Sequence, residues 1–223
     1  MSAPAPSRGG LDADERRLVR LAAAVADPGA EALRAAARAI VAAGLHAAGE
    51  EVLLQSHLFA GYPAALEAFA TWREVAGPAV HAPDEALPPA RVRARGEEVC
   101  RVVYGAQYQP LRANVAALHP ALERWMVEEG YGRVLGRPGL ALHVRELCIV
   151  ALTAGLDAPR QLYSHLRGAL QAGATAGQVE DTLAEAAGVQ GRERAAAAAA
   201  LWREVRDRAG GRPGAATRDG RND

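Results

Sequence analysis

The tetrapeptide Trp72-Arg73-Glu74-Val75 recurs 130 residues later as Trp202-Arg203-Glu204-Val205. A repeat at that distance constrains the fold more than any other feature, because whatever the first half forms, the second half forms again. Other positions fall into register with it. At an offset of 129, Gly44 lies on Gly173, each closing an Ala-rich run, and Leu18 and Leu33 lie on Leu147 and Leu162. Glu51 lies on Glu180 at the same offset, and one inserted residue before the shared tetrapeptide raises it to 130.

Each repeated unit is helical. Apolar residues make up 50% of the chain, but alanine, the strongest helix former, dominates them, while aromatics are only 4%. An all-α, internally duplicated helical bundle without strands is expected. The first copy spans residues 11–76 and the second 97–208. Residues 1–10 and 209–223, rich in Gly, Pro, Ser and charge, read as disordered tails. Residues 77–96, with four prolines, read as a linker.

The second copy is the clearer one. Val144–Ala154 is apolar nearly all round, which predicts a buried helix stopped by Gly155. Asp157 is the expected cap of the next helix, with Pro159 in its first turn and Gly173 as its stop. Thr175 and Gln178 have capping-box spacing and open a third helix to about Ala187. Before these, residues 97–136 are further helical material, interrupted at Pro110, Pro120 and Gly130.

Charge excludes several functions. The 26 basic and 26 acidic residues balance and interleave, so no basic stripe marks a nucleic-acid or membrane partner. The chain has no lysine, which removes Schiff-base chemistry and lysine-bearing phosphate loops. The two cysteines, Cys100 and Cys148, form no CxxC pair, and no signal peptide or long apolar run is visible, so a cytoplasmic setting is expected. His57 and Tyr62 read as packing, His119 as a helix-start residue, and His46, His81 and His143 as loop or helix-end residues. No HxH or HxxxH spacing suggests a metal site, and no cofactor is implied.

Two segments carry a family resemblance. Arg137-Pro-Gly-Leu140, Arg145-Glu-Leu147 and the run from His165 to Thr175 resemble the carboxymuconolactone decarboxylase family, as do Glu50–Gln55 and Gly61–Ala65 in the first copy. The resemblance implies an all-helical fold and ring-like homo-oligomers, and the family includes lactone decarboxylases and alkylhydroperoxidase D-like peroxidases. Two units per chain then imply a homotrimer that reproduces a six-unit ring. The peroxidase pattern places two cysteines between a glutamate and a histidine. Here Glu146 and His165 stand at that spacing, 19 apart, but Ala158 and Gln161 occupy the cysteine positions. Without those thiols, dithiol peroxide reduction has nothing to run on unless Cys100 and Cys148 meet in space.

Glu146 and His165 flank one turn between two helices, about nine and seven residues from it. At ~1.5 Å per residue they can face each other at similar height. A carboxylate beside an imidazole fixes its tautomer and suits it to proton transfer. His165 is therefore the expected general acid/base and Glu146 its orienting partner. The first copy carries Arg17 and Ala36 at these positions and lacks the pair. Arg137, Arg145 and Arg160 are the expected grip on a substrate carboxylate, Arg137 foremost, with Gln161 and Tyr163 lining the pocket. The expected function is a lyase or decarboxylase acting on a carboxylated lactone or similar small acid. The alternatives are a non-catalytic helical scaffold and, third, a peroxidase.

Overall fold

The computed structural model describes residues 9–26, 30–78, 87–156 and 158–210, with no side-chain description at 30, 209 and 210. Among these residues there is no strand. The helices are α1 (Ala13–Val25), α2 (Ala30–Ala42), α3 (His46–Ala76), α4 (Pro89–Tyr104), α5 (Tyr108–Leu118), α6 (Pro120–Trp125), α7 (Leu142–Ala154), α8 (Pro159–Gln171), α9 (Ala176–Gln190) and α10 (Arg192–Gly210). A 3₁₀ turn, Gly105–Gln107, precedes α5, and a ten-residue π-helix, Met126–Leu135, follows α6.

Helices α1–α3 resemble α7–α10 in length and spacing, whereas among the described residues α4–α6 and the π-helix have no counterpart. α1 and α7 are both 13 residues long and start 129 residues apart, as do α2 and α8. α3 is broken by Gly61, with φ 83° and ψ 165°, and Gly191, with φ 88° and ψ 166°, separates α9 from α10 at an offset of 130. Both glycines hold a backbone shape that a side chain rarely tolerates. The Trp72 indole donates to Glu50 at 3.2 Å, and the Trp202 indole donates to Glu180 at 3.3 Å. Glu180 therefore pairs with Glu50 rather than with Glu51, because the extra residue already lies between Gly173 and the start of α9 at Ala176.

α7 is the central element. From Val144 to Ala154 every residue is buried, as its apolar sequence predicts, and it packs on α1, α3, α8 and α9. Two of these neighbours carry side-chain caps. Asp12 and Glu15 close a capping box on α1, and Thr175 and Gln178 close one on α9. Asp157, the expected cap of α8, lies outside the described residues, as does His81; the position directly before α8 is Ala158, with no side-chain cap.

Part of the expected linker is helix. Residues 89–96 form the first turns of α4, because Pro89 sits where its missing N–H costs nothing. α4 then lies against the π-helix at backbone contact. A Cβ on Gly96 would stand 2.0 Å from the Val127 carbonyl oxygen, and one on Gly132 would stand 2.3 Å from that of Val92. Gly130, expected to break a helix, lies inside the π-helix, whereas Pro120 does start α6 with His119 capping it through Nδ1. This layer encloses a second cluster around Cys100, Val103, Tyr108, Tyr131 and Ile149, beside the main core.

Candidate active site

Glu146 and His165 meet. The Nδ1 of His165 lies 2.8 Å from Oε2 of Glu146, with the carboxylate fully buried and the imidazole 5% exposed. α7 and α8 are consecutive antiparallel neighbours, so residues equally far from their turn come level. The contact also needs Gly168, where a Cβ would stand 2.8 Å from Oε2. The other carboxylate oxygen, Oε1, has no hydrogen-bond partner among the described residues. Phe59 sets its ring edge-on to His165, centroids 5.1 Å apart.

His165 borders a cavity of about 520 Å³. Its walls come from α3 with His57, Leu58 and Phe59, from Tyr104 at the end of α4, and from α6 and the π-helix. Tyr131 donates its hydroxyl hydrogen to Tyr104 at 2.9 Å. Burial pushes both phenols above their usual range, so both stay protonated at neutral pH. A second cavity of about 640 Å³ adjoins it, sharing His57, Leu58, Trp125 and Glu129, and adds Tyr62, Arg133 and Arg137. The π-helix lines both. π-helices interrupt regular packing and recur at functional sites, since each costs helical regularity.

The expected substrate contacts fare differently. Arg137 does line a cavity, the adjoining one, and its guanidinium is engaged by Glu51 at 3.1–3.2 Å. Arg145 is not a ligand group. It is fully buried and binds Glu51 at 2.8 Å together with the carbonyls of Arg137 and Pro138 at 3.0 and 3.2 Å, stitching α7 to α3 and to the turn before α7. Arg160 and Gln161 are exposed, and Tyr163 accepts a hydrogen bond from Arg208; none of the three lines the cavity. At 3.6 residues per turn, Arg160 and Tyr163 point roughly 140° and 160° away from His165, and Gln161 sits a full turn, ~5.4 Å, nearer the helix start. Leu162 is core.

The first half is more than a matching shape, since His57, Leu58 and Phe59 belong to it. Sequence reasoning assigned His57 to packing. Its place four residues before Gly61, a predictable break, is the only local hint that its side chain stands at an opening.

Cys100 and Cys148 are both free and buried, and they belong to different clusters. Burial pushes each thiol up to about 12, so neither supplies a thiolate. Among the described residues no three His, Cys, Asp or Glu side chains gather as a metal site, and no helix is long and apolar enough to cross a membrane.

The model of the carboxymuconolactone decarboxylase family matches residues 120–204, a span that contains the π-helix, Glu146 and His165. No curated protein matches the chain.

Proposed function

Residues 120–204 being a carboxymuconolactone decarboxylase-family domain, we propose that the protein is a small-molecule enzyme of the lyase type, acting on a compact cyclic acid such as a carboxylated lactone. The observation that carries this reading is the buried Glu146–His165 hydrogen bond at the edge of a cavity of about 520 Å³, large enough for a ring-sized ligand.

The chemistry follows from the pair. Glu146 holds Nδ1, so His165 presents Nε2 to the cavity, and the carboxylate offsets the charge the ring gains on taking a proton. In a decarboxylation the bond to the carboxylate carbon breaks, carbon dioxide leaves, and the electron pair stays conjugated with the lactone carbonyl. Protonated His165 then delivers its proton to the ring carbon that had carried the carboxylate. The departing carboxylate needs a cationic wall. Arg137 and Arg133 stand only in the adjoining cavity, where Glu51 and Glu129 already engage them, so a substrate carboxylate that reaches across the Trp125–His57 boundary shares these guanidiniums with those carboxylates. Arg145 and Arg160 have no part in this.

A thermal-shift screen of small cyclic acids, followed by carbon dioxide release assays on each hit, tests the proposal. Turnover lost in His165→Asn, at unchanged folding, supports it; turnover retained in that variant overturns it. The second reading, a helical scaffold that lost the chemistry, is favoured by the completeness of Glu146 burial, which suits a pair tying α7 to α8. It expects no turnover with any hit.

The matched helix lengths and the matched glycine breaks also support an internal duplication, and three two-unit chains would close a six-unit ring.

A further inference from the structure

His57 lines both cavities from α3. Its Nδ1 lies 2.6 Å from the carbonyl oxygen of Leu54. A carbonyl oxygen only accepts, so Nδ1 carries the hydrogen and Nε2 is left with a lone pair. His165 reaches the same state by another route, its Nδ1 engaged by Glu146. Neither Nε2 has a hydrogen-bond or ion-pair partner among the described residues. Two imidazoles from different halves of the chain thus border one cavity, each engaged through Nδ1.

The remaining wall defines what could lie between them. Leu58, Phe59, Leu122, Met126 and Leu135 make it largely apolar. Among the described residues the other ionisable groups on it are Glu129 and the protonated phenols of Tyr104 and Tyr131, and no guanidinium lines it. A carboxylate finds no countercharge here, whereas a hydroxyl finds two lone-pair acceptors.

We propose that His57 is a second proton-transfer residue of this site, and that the cavity takes a ring-sized, largely apolar ligand carrying a weakly acidic hydroxyl or enol. The proposal rests on the acid/base reading of His165. His165 lies beside the Glu146 carboxylate, which offsets the charge of an added proton, whereas His57 is backed by a neutral carbonyl oxygen. The ligand O–H gives its proton to Nε2 of His57, while Nε2 of His165 takes a proton from water, its charge offset by Glu146, and donates that N–H to the oxyanion left behind. Where the substrate is also a carboxylic acid, that group lies in the adjoining cavity near Arg137.

The test uses 4-nitrophenol as probe on the full chain, with the histidine ring nitrogens followed by ¹⁵N NMR at neutral pH. Spectra of His57→Asn and His165→Asn assign the two rings. The Asn amide at position 57 can still donate to Leu54 while Nε2 is gone, so folding, checked by thermal melting, is preserved by design. Saturating probe should move the Nε2 signals of His57 and His165 together, and His57→Asn should bind the probe about tenfold more weakly, the worth of one hydrogen bond. If His165 alone responds, or His57→Asn binds as wild type does, the His57 proposal falls and the His165 reading stands. If His57 alone responds, the His165 reading falls instead. Absence of saturable binding overturns the ligand class and the proposal with it.

Discussion

His165→Ala would leave the fully buried Glu146 carboxylate with nothing to share its charge. Urea unfolding should register a loss of ~3–5 kcal/mol. His165→Asn keeps a donor for Oε2 and should recover most of it, which makes it the variant that separates chemistry from scaffolding. Arg145 is a stability residue of the same kind. Arg145→Ala should cost up to ~3–5 kcal/mol, since two carbonyls lose a donor and Glu51 keeps only Arg137, yet leave probe binding unchanged in the folded fraction. The cysteines should be silent. With both thiols pushed to about 12, the thiol form persists throughout the ordinary pH range and thiolate appears only above it. A disulfide reagent should therefore modify them only after unfolding. Hydroperoxide reduction should be no faster than in a chain with both replaced by serine; a clear cysteine-dependent rate would revive the peroxidase reading.

At the level of elements, the α4–π-helix contact holds one wall of the site in place. Gly96→Ala and Gly132→Ala each push a methyl into a neighbouring backbone, where nothing flexible can yield. Each should lower stability by at least ~1–3 kcal/mol and broaden the NMR signals of Tyr104 and Tyr131. Gly188→Ala in α9 is the control. Nothing lies within 4 Å of its added Cβ, so it should gain ~0.5–1 kcal/mol from helix propensity alone. A melting temperature that falls as much in the control as in the two close-contact variants would show the backbone approach to be unimportant. The helix boundaries themselves were largely readable in advance. Thr175-to-Gln178 spacing, Pro159, Pro120, Gly155 and Gly173 all mark ends that the chain respects. The π-helix was not readable, because its register depends on what α4 presses against it.

For the molecule as a whole, Tyr62, Leu66, Leu118, Leu122 and Trp125 are large apolar side chains left between 47% and 78% exposed. Such exposure on a single chain is consistent with contact between copies. Light scattering should find a trimer at micromolar concentration, and a monomer would contradict the assembly proposal. Spans 16–75 and 145–205 should superpose in an experimental structure; failure to overlay would remove the duplication.

The sequence by itself determined what depends on local order along the chain. Alanine content and caps set the helices, the 129–130 offset anticipated the equal lengths of α1 and α7 and of α2 and α8, and the 19-residue spacing brought Glu146 level with His165 across one turn. Those outcomes follow from rise per residue and from short connections. Only the tertiary structure decided which side chains face a common space. His57, Tyr104 and Tyr131 reach the cavity from three different elements, while Gln161 and Tyr163, adjacent to His165 in sequence, do not. Periodicity states which residues share a face of one helix. It cannot state which face of another helix lies opposite, because that is set by side-chain volume and backbone approach between segments far apart in the chain.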